Sequence, residues 1–142
     1  MLETAAILHD IGTYIRPSAH QKHSQYIVAN SEIFGLCNDE LNIIANVINF
    51  HRGDPPGQSD IEYVKLQRED RILVLKMASI LRVADALDRG HAQQIKKITV
   101  ERRPETIVLN VDNAYDLSLE LMGIKDKGGM FQDVFGLKVI LN

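Results

Sequence analysis

Apolar positions along the first 94 or so residues recur with helical spacing, and from about residue 95 they alternate as strands do. Leu2 to Ile11 puts Leu2, Ala5, Ala6 and His9 on one face and stops at Gly12, which reads as a C-terminal breaker. A loop containing Pro17 leads to a second helix, from His20 to about Ser31, with His23, Tyr26, Ile27 and Asn30 on a common face. The third helix opens at Asn38 or Asp39, either of which caps the free amides of a first turn. Its stripe is Leu41, Ile44, Ala45 and Ile48, and His51 falls on that line. A fourth helix is predicted from Arg68 to Arg89, with Glu69 and Asp70 suited to the positive end of its dipole. Leu73, Met77, Ile80, Leu81 and Ala84 are its expected buried face, and Asp85 and Asp88 follow Leu81 and Ala84 by four residues. The long stretch Arg52 to Gln67, with Asp54-Pro55-Pro56-Gly57-Gln58-Ser59 at its tip, reads as a functional or mobile loop.

The remainder predicts a small α+β unit. Ile98 and Val100 face Ile107, Leu109 and Val111 across the turn Arg103-Pro104-Glu105, a hairpin by period and punctuation. Leu117, Leu119 and Leu121 predict a further strand. Met130, Phe131, Val134 and Phe135 then recur helically before Gly136, and Leu137 to Leu141 reads as a final strand. The expected fold is therefore mainly α, a helical domain over residues 1–94 followed by an α+β subdomain over 95–142.

Composition narrows the function classes. Across 142 residues, 45% hydrophobic and 25% charged side chains describe a globular chain, and nine Gly and four Pro exclude collagen-like or disordered character. The formal charge of −3 argues against a strongly basic nucleic-acid binder, so no DNA partner is expected. The single Cys37 forms no internal disulfide, no apolar run approaches the length of a membrane span, and the N-terminus shows no signal-peptide pattern. A cytoplasmic location is the expectation.

The chemistry concentrates at helix ends. His9 and Asp10 close the first helix, His20 and His23 open the second, His51 closes the third, and Asp85 and Asp88 close the fourth. Titratable groups on buried faces need partners, and a shared divalent metal or phosphate supplies them. Lys22, Arg52, Arg82 and Arg89 lie beside these residues, and arginine makes forked contacts to phosphate oxygens. Each has a plainer reading as well: a favourable helix-end charge for His9, an i,i+4 ion pair for Asp85 with Arg89.

Taken in order, Leu8-His9-Asp10-Ile11-Gly12, His20-Gln21-Lys22-His23-Ser24, Phe50-His51-Arg52 and Ala84-Asp85-Ala86-Leu87-Asp88-Arg89 resemble the HD superfamily of metal-dependent phosphohydrolases. The closer resemblance is to the C-terminal HD-type domain of the exopolyphosphatase and guanosine pentaphosphate phosphohydrolase (Ppx/GppA) family, and it spans nearly the whole chain. It implies His9, Asp10, His51 and Asp85 as ligands of a divalent ion, Mg, Mn, Zn or Fe. It implies His20, Lys22, His23, Arg52, Arg82 and Arg89 as substrate contacts, and a homodimer. The implied role is substrate binding and regulation for a hydrolase of polyphosphate or guanosine pentaphosphate. An autonomous metal-dependent phosphohydrolase and a non-catalytic dimerisation scaffold are the alternatives. The family's first metal-ligating histidine, on an upstream helix, and its catalytic actin-like domains lie outside these 142 residues. The expectation is a fragment or a stand-alone relative of the family's C-terminal half.

Overall fold

The computed structural model describes residues 1–112 and 116–142 and divides into two units, Met1–Leu81 and Arg82–Asn142. The division falls inside a helix, earlier than the change of periodicity near residue 95. Val83 and Ala86 explain it, because both side chains belong to the core of the second unit.

The first unit is helical: α1 (Leu2–Leu8), a 3-10 turn (Ile11–Tyr14), α2 (His20–Ala29), α3 (Asn38–Asn49), α4 (Ile61–Val64) and most of α5 (Arg68–Ala86). α3 is its centre, packed by α1, α2 and α4. The expected stripe of Leu41, Ile44, Ala45 and Ile48 is buried, joined by Ile43 and Val47. Cys37 rather than Asn38 or Asp39 is the N-cap residue. Its backbone N–H donates to Glu40 Oε2 at 2.9 Å, and that bond holds the Glu40 carboxyl below its ordinary range.

Three helical expectations shift. α1 ends at Leu8, leaving His9 and Asp10 in a turn. Gly12 sits within the 3-10 turn as a point of close approach: a Cβ there would lie 2.4 Å from both the His20 carbonyl oxygen and the Ser24 nitrogen. α2 buries His20, Ser24 and Val28, whereas Tyr26 is 69% exposed, so its inward face is largely polar and hydropathy alone misplaces it. α5 ends at Ala86, not Arg89, and its buried line is Val74, Met77, Ala78 and Leu81; Ile80 and Ala84 face outward. The Arg52–Gln67 loop contains α4, anchored by an edge-on contact of Tyr63 with Phe50 at 5.6 Å between ring centroids.

The second unit combines the end of α5 with β1 (Ile98–Arg102), β2 (Thr106–Val111), α6 (Ser118–Lys127), α7 (Gly129–Phe135) and β3 (Lys138–Leu141). β1 and β2 form the expected antiparallel hairpin, in register from Ile98 opposite Val111 to Arg102 opposite Ile107. β3 lies parallel to β2, giving the order β1-β2-β3, with α6 and α7 providing the crossover that a parallel pair requires. Leu109, Ile124, Phe131, Val139 and Leu141 pack with Val83 and Ala86.

The strand expected at Leu117, Leu119 and Leu121 is instead the start of α6. Asp116 Oδ1 accepts the Ser118 N–H at 2.9 Å, and Glu120 and Lys125 match the helix dipole at opposite ends. Leu119 and Leu121 are about half exposed, while Glu120, Gly123 and Ile124 face inward. Gly123 is required there, since a Cβ would meet the Ala86 carbonyl oxygen at 2.9 Å. Among the described residues, no helix is long and apolar enough to cross a membrane.

Candidate functional site

Four side chains of the first unit meet where α1, α2 and α3 end or begin. His9 follows the last residue of α1, Asp10 precedes the 3-10 turn, His20 is the first residue of α2, and His51 lies just beyond α3. Asp10 Oδ1 lies 3.0 Å from His20 Nε2, and Asp10 Oδ2 lies 3.4 Å from His9 Nε2. His20 Nε2 and His51 Nε2 are 3.3 Å apart, and the His9 ring meets His51 edge-on with centroids 5.0 Å apart. His51 is 1% exposed and His20 7%, while Asp10 keeps about a third of its side chain in solvent. The cluster is a buried floor with an open rim.

The backbone orients the rings by one repeated device. Each histidine directs Nδ1 at the carbonyl oxygen three residues earlier: His9 at Ala6 (2.7 Å), His20 at Pro17 (3.1 Å) and His51 at Ile48 (2.6 Å). The short contacts of His9 and His51 place a hydrogen on Nδ1, which turns Nε2 of each toward Asp10 and His20 respectively. This is the arrangement by which outer partners fix a ligating imidazole. His20 differs, because its Nδ1 faces both the Pro17 carbonyl oxygen at 3.1 Å and Arg52 Nη1 at 3.3 Å, and one ring nitrogen either donates to the first or accepts from the second. Ligand atoms of His9, Asp10 and His51 all lie within 4.8 Å of one another, a set able to hold a metal ion.

Ser24 braces the segment carrying the His-Asp pair. Its hydroxyl is fully buried, accepts the Gly12 N–H at 2.8 Å and donates to the His9 carbonyl at 2.7 Å. Sequence reasoning gave it no role, although its place four residues after His20 puts it on the same face of α2. Left-handed Ala19 (φ 57°) turns the chain sharply into α2, which brings His20 over Pro17.

The remaining expected residues distribute as follows. Arg52 is exposed beside His20, and His23 is half-buried next to Gly12. Lys22 lies in a recess shared with Gln25 and Asn46. Asp85, Arg82 and Arg89 belong to the second unit. There Asp85 pairs with Lys127 and Arg89 donates to Asp126 at 2.7 Å, two ion pairs between the segment around the end of α5 and α6.

Comparison with known proteins adds two findings. The family described as Ppx/GppA phosphatase, domain III, matches residues 1–125. A guanosine-5'-triphosphate,3'-diphosphate pyrophosphatase of Pseudoalteromonas translucida (strain TAC 125) is 39% identical over 54 residues. That alignment covers 38% of this chain and 11% of the relative's length, so the match spans a small part of that protein.

Proposed function

The chain belongs to the Ppx/GppA phosphatase domain III family, and from that premise we propose that it binds a phosphate chain for a phosphatase of that type, acting on polyphosphate or guanosine pentaphosphate. The observation that carries this reading is the convergence of His9, Asp10, His20 and His51 beside the exposed guanidinium of Arg52. The family, and the name of the guanosine-5'-triphosphate,3'-diphosphate pyrophosphatase to which the chain is similar, support this substrate class.

His9, Asp10 and His51 are the proposed holders of a divalent ion. Two imidazoles and one carboxylate suit Zn, Mn or Fe better than Mg, which favours oxygen ligands. When bound, the ion supplies positive charge against which phosphate oxygens are stabilised. Arg52 adds planar donors matched to two phosphate oxygens, and His20, adjoining both Arg52 and Asp10, couples that contact to the metal ligands. In this reading hydrolysis itself is the work of other parts of the phosphatase, and a homodimer presents two such sites.

Calorimetric titration with polyphosphate and with guanosine pentaphosphate, each with and without Mn, tests the proposal. Loss of one charge-assisted contact in Arg52→Ala predicts a drop in affinity of about tenfold or more. The reading is contradicted if both ligands bind Arg52→Ala and the wild type equally, or if neither binds at low salt. Hydrolysis of a generic phosphate ester by the metal-loaded chain alone would favour the autonomous hydrolase.

A further inference from the structure

α3 carries a second polar pattern, on residues distinct from the histidine cluster. Asp39, Asn42, Asn46 and Asn49 recur at spacings of three, four and three along a helix whose other positions are mostly buried and apolar. Asparagine is a poor helix former, and of these three Asn42 is exposed, Asn49 half-buried and only Asn46 buried. Asn46 is the most costly. It is 2% exposed, its Nδ2 donates to the Asn42 carbonyl at 2.9 Å, and its Oδ1 has no hydrogen-bond partner.

Three adjoining recesses of the first unit share Asn46 and Glu62, forming a groove between α3 on one side and α2 and the α4–α5 segment on the other. The largest of them encloses about 510 Å³. Asp39, Asp60, Glu62 and Asp70 line the groove against Lys22 and Lys65, and Lys65 is already held by Glu62 at 2.7 Å. The lining is thus acceptor-rich and acidic, which disfavours a phosphate chain and favours a ligand bearing N–H donors and positive charge. A bare metal ion fits less well. Among the described residues, the groups of carboxylate and imidazole ligands close enough to hold one comprise only His9, Asp10 and His51.

We propose that this groove binds a linear aliphatic oligoamine. Acceptors three or four residues apart on a helix are separated by about 4.5 to 6 Å along its axis. That matches ammonium groups spaced by a few methylenes, and the Asn46 carbonyl oxygen gains the donor it lacks. The inference is independent of the phosphate reading, because none of the residues it uses belongs to the histidine cluster.

Titration of the isotope-labelled chain with spermidine at constant ionic strength, followed by amide NMR, is the test. The expected shifts are confined to α3 positions 39, 42, 46 and 49 and to Glu62 and Asp70. Asp70→Asn and Glu62→Gln, both at solvent-accessible positions, are each expected to weaken binding about threefold or more. Asn46→Asp, which adds charge without adding volume, is expected to tighten it; should that buried change unfold the chain, the two other variants decide. Shifts spread equally over unrelated carboxylates such as Glu3, Glu32 and Glu105, or wild-type affinity in Asp70→Asn and Glu62→Gln, would overturn the proposal.

Discussion

Ser24→Ala is the sharpest probe of how the fold holds the His-Asp pair. The hydroxyl joins Gly12 N–H and His9 C=O, two backbone groups of the turn that presents His9 and Asp10, and no part of it reaches solvent. Alanine removes both bonds and leaves a donor and an acceptor behind without water to replace the hydroxyl. At about 1 kcal/mol for a typical net hydrogen bond and 1 to 3 kcal/mol for a buried orphan, the loss is roughly 2 to 4 kcal/mol. For a unit of this size that corresponds to a fall in Tm of about 10 to 30 °C. Ser79 supplies the internal control. It is equally buried, but its hydroxyl only donates back to the Lys76 carbonyl within α5. Because alanine is the better helix former, Ser79→Ala is expected to change stability by less than about 1 kcal/mol. Urea unfolding followed by circular dichroism compares the pair. Equal losses for the two serines, or a loss below about 1 kcal/mol for Ser24→Ala, would refute the bracing role.

Two further substitutions test particular contacts. Gly12→Ala forces a Cβ to within 2.4 Å of two backbone atoms of α2, and a rigid clash of that kind is expected to cost about 3 kcal/mol or more; thermal unfolding near wild-type temperature would contradict it. Glu40→Ala removes the acceptor of the Cys37 N–H, and the Glu40 carboxyl is held low by that bond, so the stabilisation is present above the ordinary carboxylate range and disappears as pH falls through the lowered value. The wild type is therefore expected to exceed the variant in urea midpoint at neutral pH and to match it once Glu40 is protonated; a difference that persists in acid would contradict the assignment.

The legible parts of the chain were those where hydropathy and burial coincide. The α3 stripe follows directly from Leu41, Ile44, Ala45 and Ile48, and the hairpin from Ile107 to Val111 and its turn. Where a buried face is held by hydrogen bonds, hydropathy points elsewhere. α2 turns His20 and Ser24 inward because both have backbone partners, and Tyr26 is left outside. The leucines at 119 and 121 do alternate, yet they face solvent, and the Asp116 cap and Gly123 decide for a helix. The metal group read from the sequence was His9, Asp10, His51 and Asp85; ligand atoms of the first three lie together in the first unit, and Asp85 belongs to the second. His20 was read as a substrate contact at the same helix ends, but its place between Asp10 and His51 depends on the left-handed turn at Ala19, a conformation that alanine seldom adopts and its neighbours do not announce.

The central claim is that the rings of His9 and His51 and the Asp10 carboxylate form one receptacle for a cation that in turn draws phosphate. Its most direct measurement is metal stoichiometry, by elemental analysis after Mn or Zn loading and exhaustive dialysis, for the wild type and for His51→Ala. The account predicts a single retained equivalent in the wild type and none in the variant. Equal retention by both, or no retention by the wild type, would contradict it.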